Sequence, residues 1–151
     1  MEIRSKSFDE LTNRELYQVL RLRSAVFVVE QDCVYQDMDN KDQRAIHVLG
    51  MEQDRLVGYT RIFGPGDYFG RASIGRVVVD PDRRMYGYGK QLMLASLAWL
   101  KEHFPDSGIE ISAQSYLLPF YGGLGFTARG EEYMEDGIPH VRMLYASGPK
   151  P

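Results

Sequence analysis

The residues best placed to do chemistry form one stretch, Val77-Val78-Val79-Asp80-Pro81-Asp82-Arg83-Arg84-Met85-Tyr86-Gly87-Tyr88-Gly89-Lys90. A run of β-branched residues ends at a Pro turn. An Arg-x-x-Gly-x-Gly loop follows and opens directly into a helical pattern. That order builds an anion site: the glycines remove side chains where backbone N–H groups must approach a phosphate, and the helix N-terminus adds its positive dipole. Arg84 and Lys90 can add charge-assisted hydrogen bonds. The loop predicts a grip on a phosphorylated cofactor. It is not a Walker A loop, because Gln91 rather than Ser or Thr follows Lys90. It is not a dinucleotide loop either, because Leu92 stands where a third glycine or alanine is needed.

The elements that must position this loop read as follows. Thr12-Asn13-Arg14-Glu15 is a capping box, and apolar periodicity behind it predicts a helix from Asn13 to about Phe27. Residues Glu30 to Asp42 are polar and irregular. Ala45 to Gly50 and Leu56 to Phe63 read as paired antiparallel strands, and Ser73 to Val79 as the central strand. Gly87 to about His103 is the longest helix, with Met93, Leu97, Leu100 and Phe104 on one face, ended by Pro105. Ile109 to Ala113 alternates as a strand, Tyr116 to Gly122 reads as a short helix, and Phe126 to Arg129 and His140 to Tyr145 as closing strands around an acidic turn, Glu131 to Gly137. The order predicts an α/β (α+β) chain, with a mixed central sheet and helices on both faces.

The chain has 151 residues, 44% hydrophobic and 26% charged, which predicts one soluble domain over 1–151 with a frayed tail at 146–151. No apolar run approaches the roughly 18 residues that span a membrane. One cysteine, Cys33, and an N-terminus without an apolar signal region predict a cytoplasmic setting. A net charge of −3 argues against nucleic acid as the partner. Cys33 has no base beside it in sequence and reads as inert rather than nucleophilic. Arg23, Arg61 and Arg76 sit in apolar contexts. Because buried arginine needs partners, they predict ion pairs with Asp37, Asp39 or Glu30 that pin the acidic loop onto the sheet.

The spacing Val-x-x-Pro-x-x-Arg-x-x-Gly-x-Gly, followed by Phe120-Tyr121-Gly122-Gly123-Leu124-Gly125-Phe126, resembles the two hallmark motifs of the GNAT superfamily of N-acetyltransferases. Further segments, among them Arg21 to Gln31, Tyr35 to Asp39, Ile74 to Val77 and Glu135 to His140, resemble its ElaA branch, a bacterial group. The resemblance implies a GNAT fold whose mostly antiparallel sheet splits in a V between the Ser73–Val79 and Ile109–Ala113 strands, with acetyl-CoA in the split and no metal. Backbone N–H groups of Val77, Val78 and Val79 would bind the thioester and pantetheine. Those of Arg84, Met85, Tyr86, Gly87, Tyr88, Gly89 and Lys90 would hold the pyrophosphate.

Direct attack of an amine on a thioester needs no protein nucleophile. A backbone N–H near Val78 or Val79 can hold the oxyanion, and Tyr121 is the candidate acid for the leaving thiolate. Ser73 stands where some family members carry a carboxylate, so the base is open among Glu30, His47, Glu110 and His140, or water. Glu30, His47, Gln114 and His140 are the candidate acceptor-binding residues. By the fold that the resemblance implies, the acidic segments Asp32–Asp42 and Glu131–Asp136 would border the acceptor side, where a negative rim would attract a cationic amine. The acceptor expected is a primary amine, on a small molecule first and a peptide or protein second, and the chain a monomer or homodimer. The rival reading is a module that senses acyl-CoA without turnover.

Overall fold

The computed structural model describes residues 1–145; the expected frayed tail lies outside them. The chain runs β1 (Glu2–Ser7), α1 (Asn13–Arg23), a π-helical stretch (Ser24–Glu30), β2 (Ile46–Glu52), β3 (Arg55–Phe63), β4 (Ala72–Val79), α2 (Tyr88–His103), β5 (Ile109–Gln114), α3 (Leu118–Gly123), β6 (Thr127–Glu135) and β7 (Ile138–Tyr145). The strands form one sheet in the order β1-β2-β3-β4-β5-β7-β6. Every neighbour pair is antiparallel except β4 with β5.

That parallel pair holds only at Ala72 with Ile109 and Ser73 with Glu110. Beyond Ser73, β4 and β5 share no ladder, and the sheet opens as a V. A bulge accompanies the split: the register between β3 and β4 shifts between Tyr59 and Arg61, and Arg76 takes a left-handed φ of 49°. Such a conformation costs a non-glycine residue about 1–3 kcal/mol unless its surroundings impose it. Here Arg76 Nε donates to Asp37 Oδ1 at 2.8 Å and Nη2 to the Asp37 carbonyl at 3.0 Å.

Each face of the sheet carries a helix because each presents its own apolar set. On one side Val19, Leu22 and Val26 pack on Leu49, Leu56, Tyr59 and Val78. On the other, Leu92, Met93, Leu97 and Leu100 of α2 pack on Val48, Ile62, Ile74, Ile109 and Ile111. Thr12 caps α1 reciprocally with Glu15, as the capping box predicts.

Three elements differ from the sequence-based expectation. Strand β1 was absent from it, because Ile3 is the one aliphatic residue in a polar run; β1 forms because its backbone pairs with the edge of β2. The first helix ends as an α-helix at Arg23 and widens, with Gln31 and Cys33 N–H bonding back five residues to the Val26 and Val28 carbonyls. The acidic Glu131–Gly137 segment is not a turn. Strand β6 continues to Glu135, and the reversal is Asp136-Gly137, both at positive φ as a tight two-residue hairpin requires.

The acidic loop is pinned as expected, with one change of partner. Arg23, fully buried, bonds Asp37 Oδ2 at 2.8 Å and Asp42 Oδ1 at 2.7 Å. Arg61 bonds both oxygens of Asp39 at 2.8 Å and Asp42 Oδ1 at 3.0 Å. Asp42, not Glu30, completes the set. His47 stands behind it, with Nδ1 against the Tyr59 hydroxyl at 2.6 Å and Nε2 against the Asp42 carbonyl at 2.8 Å.

Burial would raise the Asp39 and Asp42 carboxyls, but the arginine hydrogen bonds and charges reverse this and hold both below the usual carboxylate range. Burial depresses the His47 imidazole. All three groups bind protons more readily unfolded than folded, so each contributes stability at higher pH that is lost on acidification. The unfolding free energy is expected to fall in two steps, the first below about pH 6.5 from His47 and the second below about pH 4 from the aspartates. Urea unfolding from pH 7 to pH 3 reads both steps, and His47→Gln is expected to remove the first while leaving the second.

Candidate active site

The V opens into a cavity of about 580 Å³. One wall is β4 from Ser73 to Val79, and the facing wall is β5 at Ile111, Ser112 and Gln114. The π-helical stretch brings Phe27 and Glu30 to the wall, and a widened turn of this kind often marks a functional site. The β6–β7 hairpin brings Glu135, Asp136, Ile138 and His140.

At one end the loop after β4 enters α2. Gly87 is the N-cap, in a left-handed conformation at φ 72°, with no side chain capping the helix. A Cβ there would meet nothing within 4 Å, so the approach to the first N–H groups of α2 is open. The loop is braced from outside: Asp80 accepts from Asp82 N–H at 3.0 Å and pairs with Arg55, and Arg83 pairs with Glu52 at 2.9 Å. Arg84 forms a two-bond ion pair with Glu30, its Nη1 donating to Oε2 at 3.0 Å and its Nη2 to Oε1.

The β5-facing edge of β4 from Ile74 to Val79 has no strand partner. An extended arm with its own amide groups can pair there, and the uncapped α2 N-terminus beyond it suits a diphosphate. These two features fit a CoA thioester.

Tyr121, on α3, is packed edge-on between Phe120 and Phe126 and lines the cavity. Burial raises its phenol well above the usual tyrosine value. On β5, Ser112 Oγ meets the Tyr133 hydroxyl and Glu135 Oε1, the latter at 3.1 Å. Glu135 Oε2 lies 3.3 Å from His140 Nε2, whose ring partner Nδ1 faces the Ile138 carbonyl at 2.7 Å.

A family model described as an acetyltransferase (GNAT) domain matches residues 10–146. The chain belongs to the GNAT family. The crystal structure of an acyl-CoA N-acyltransferase from Pseudomonas aeruginosa superposes with a TM-score of 0.91 at 38% identity, over 97% of this chain and 100% of that one. The crystal structure of Escherichia coli ElaA gives 0.89 at 40% identity, over the same shares. A protein of Schizosaccharomyces pombe is 43% identical over 95% of each chain, so the resemblance does not restrict this GNAT chain to bacteria. The family and these neighbours make it an acyltransferase that uses an acyl-CoA.

Most of the residues singled out in sequence meet in this one GNAT cavity: Val77, Val78, Val79, Arg84, Gly87, Gly89, Lys90, Glu30, Gln114, Tyr121 and His140 line it. Met85, Tyr86 and Tyr88 do not; Met85 and Tyr86 are largely exposed, and Tyr88 donates to Glu52 at 2.6 Å. His47 is corrected: it is fully buried among the ion pairs, both ring nitrogens are bonded, and it is a structural residue rather than an acceptor-binding one. The negative rim is corrected in part, since Asp37, Asp39 and Asp42 are neutralised by three arginines. Glu135 and Asp136 remain at the cavity. Sequence reasoning missed Ser112, and reached Glu135 only as one member of an acidic segment. The alternation Ile109-Glu110-Ile111-Ser112-Ala113-Gln114 carried the signal: a strand polar on one face must turn that face to solvent or a site.

Proposed function

We propose that this GNAT acyltransferase transfers an acetyl group from acetyl-CoA to the primary amine of a small molecule, by direct attack in a ternary complex. The observation that carries the reading is the unpaired β4 edge, running from the bulge at Arg76 to the uncapped α2 N-terminus within one cavity. The pantetheine arm lies along Val77–Val79, and the N–H groups of Arg84 to Lys90 hold the pyrophosphate. Arg84 then leaves Glu30 for phosphate.

The amine nitrogen attacks the thioester carbon, and a backbone N–H of the β4 edge around Val78 or Val79 holds the oxyanion. Collapse breaks the C–S bond, and the thiolate takes the phenol proton of Tyr121. Before that attack Glu135, the cavity carboxylate bonded to Ser112, takes one proton from the acceptor's ammonium and so frees the nitrogen lone pair; the second N–H proton, lost as the amide forms, returns to the Tyr121 oxygen. Glu135 supplies from β6 the carboxylate that Ser73 does not supply from β4. Burial keeps Tyr121 protonated as an acid must be.

Calorimetric titration with acetyl-CoA tests the cofactor reading. Wild-type binding is expected, and Gly87→Asp, which places a β-carbon at φ 72° and a negative charge at the pyrophosphate, is expected to weaken it at least about 100-fold, roughly 3 kcal/mol. A folded wild type that does not bind would remove the reading. Glu30→Gln frees Arg84 from an exposed ion pair and is expected to tighten binding about two- to fivefold at low salt, with the difference closing at high salt. Tyr121→Phe is expected to lower kcat about 100-fold with KM nearly unchanged, read by thiol release against a panel of amines. A Tyr121→Phe enzyme at full rate would assign the thiolate's proton to another donor.

A further inference from the structure

Buried polar side-chain atoms in folded proteins nearly always have partners. Among the described residues three lack a hydrogen bond: Arg61 Nε, Ser73 Oγ and Glu110 Oε2. They are neighbours across three adjacent strands. Arg61 of β3 pairs with Gly75 of β4, Phe63 pairs with Ser73, and Ser73 pairs with Glu110 of β5. All three therefore sit at the closed end of the V, where β4 and β5 still meet.

Glu110 Oε2 is answered by charge, since Arg142 Nη1 lies 2.6 Å away although not in line for a hydrogen bond. The other two are not answered, and both residues line the cavity. Arg61 spends its terminal nitrogens on Asp39 and Asp42, which leaves Nε–H, a donor that cannot be titrated away. Ser73, 98% buried at 2% exposure, offers a hydroxyl that can donate. Phe63, Tyr68 and Phe69 wall this end, with the Phe63 and Tyr68 rings stacked at 5.0 Å. Two buried donors in an aromatic-walled pocket match an sp² oxygen on an otherwise apolar linker.

We infer that the acceptor carries, besides its amine, a carbonyl or carboxylate oxygen that docks on Arg61 Nε and Ser73 Oγ. This rests on the acyl-transfer reading above and adds the acceptor's chemistry.

The test titrates 6-aminohexanoate, 6-aminohexanamide and hexylamine into the protein with and without saturating CoA, for wild type and Ser73→Ala. Both oxygen-bearing amines are expected to bind at least about tenfold tighter than hexylamine, and Ser73→Ala to bring them within about threefold of it. A stronger carboxylate than amide identifies an anionic acceptor; equal binding identifies a neutral carbonyl. Hexylamine binding as tightly as the others, an indifferent Ser73→Ala, or no probe binding at all would overturn the inference and leave a buried water as the partner of the two atoms. Turnover of the same compounds with acetyl-CoA reports separately on the reaction. Oxygen-dependent binding without thiol release keeps the subsite and overturns acetyl transfer, and thiol release without the preference does the reverse.

Discussion

Three arginines and three aspartates hold this structure's site together. Arg23, Arg61 and Arg76 come from α1, β3 and β4; Asp37, Asp39 and Asp42 come from one irregular loop. A buried arginine without its partner costs several kcal/mol, so no compact arrangement of these helices and strands is available unless the loop folds back across them. A loop of few apolar residues is thereby given one position. Apolar residues of the same volume could pack as well, but they would not fix where Asp37 must lie. The loop that results closes one flank of the cavity, with Tyr35 and Arg76 both on its wall.

The same network reaches the backbone of β4. Arg76 sits at a positive φ that its side chain does not favour, and both its hydrogen bonds to Asp37 hold it there. The bulge changes the register against β3 at the level where β4 leaves β5. The opening of the sheet, the free strand edge and the anchoring of the acidic loop are therefore one construction. Separating β4 from β5 leaves backbone donors and acceptors unpaired along Ile74–Val79, which a closed sheet would not tolerate, and a substrate arm with amide groups is the kind of ligand that answers them. At the far end Gly87 does for the helix what the bulge does for the strand, leaving N–H groups without an internal partner.

The parts of this arrangement legible in the sequence were those fixed by local chemistry. The phosphate loop, the capping box at Thr12, the apolar face of α2 and the need to pair Arg23, Arg61 and Arg76 all follow from residue type and short-range spacing. What was not legible depended on contacts far apart in the chain. Strand β1 has too few apolar residues to announce itself and exists because β2 offers an edge. His47 looked like a candidate for acceptor binding because a histidine on a strand carries no mark of where its neighbours lie; Tyr59 and the Asp42 carbonyl decide that it is structural. Glu135 was hidden in a run of acidic residues that read as a turn, and only the hairpin's two-residue reversal at Asp136-Gly137 turns it inward toward Ser112.

A route in which the acyl group first passes to the protein would need a thiol or hydroxyl with a base beside it. Cys33 is the one thiol in the chain, and it lines the cavity, but its Sγ–H is donated to the Asp136 carbonyl at 2.8 Å. A carbonyl oxygen can accept that hydrogen bond and cannot remove the proton, so nothing there generates a thiolate. Ser73 Oγ has no hydrogen-bond partner that could act as a base, and Ser112 is engaged with Tyr133 and Glu135. With one cavity continuous from the α2 N-terminus to the aromatic end at Phe63, both substrates can be held at once. The geometry then favours holding them together over storing the acyl group on a side chain between two separate visits.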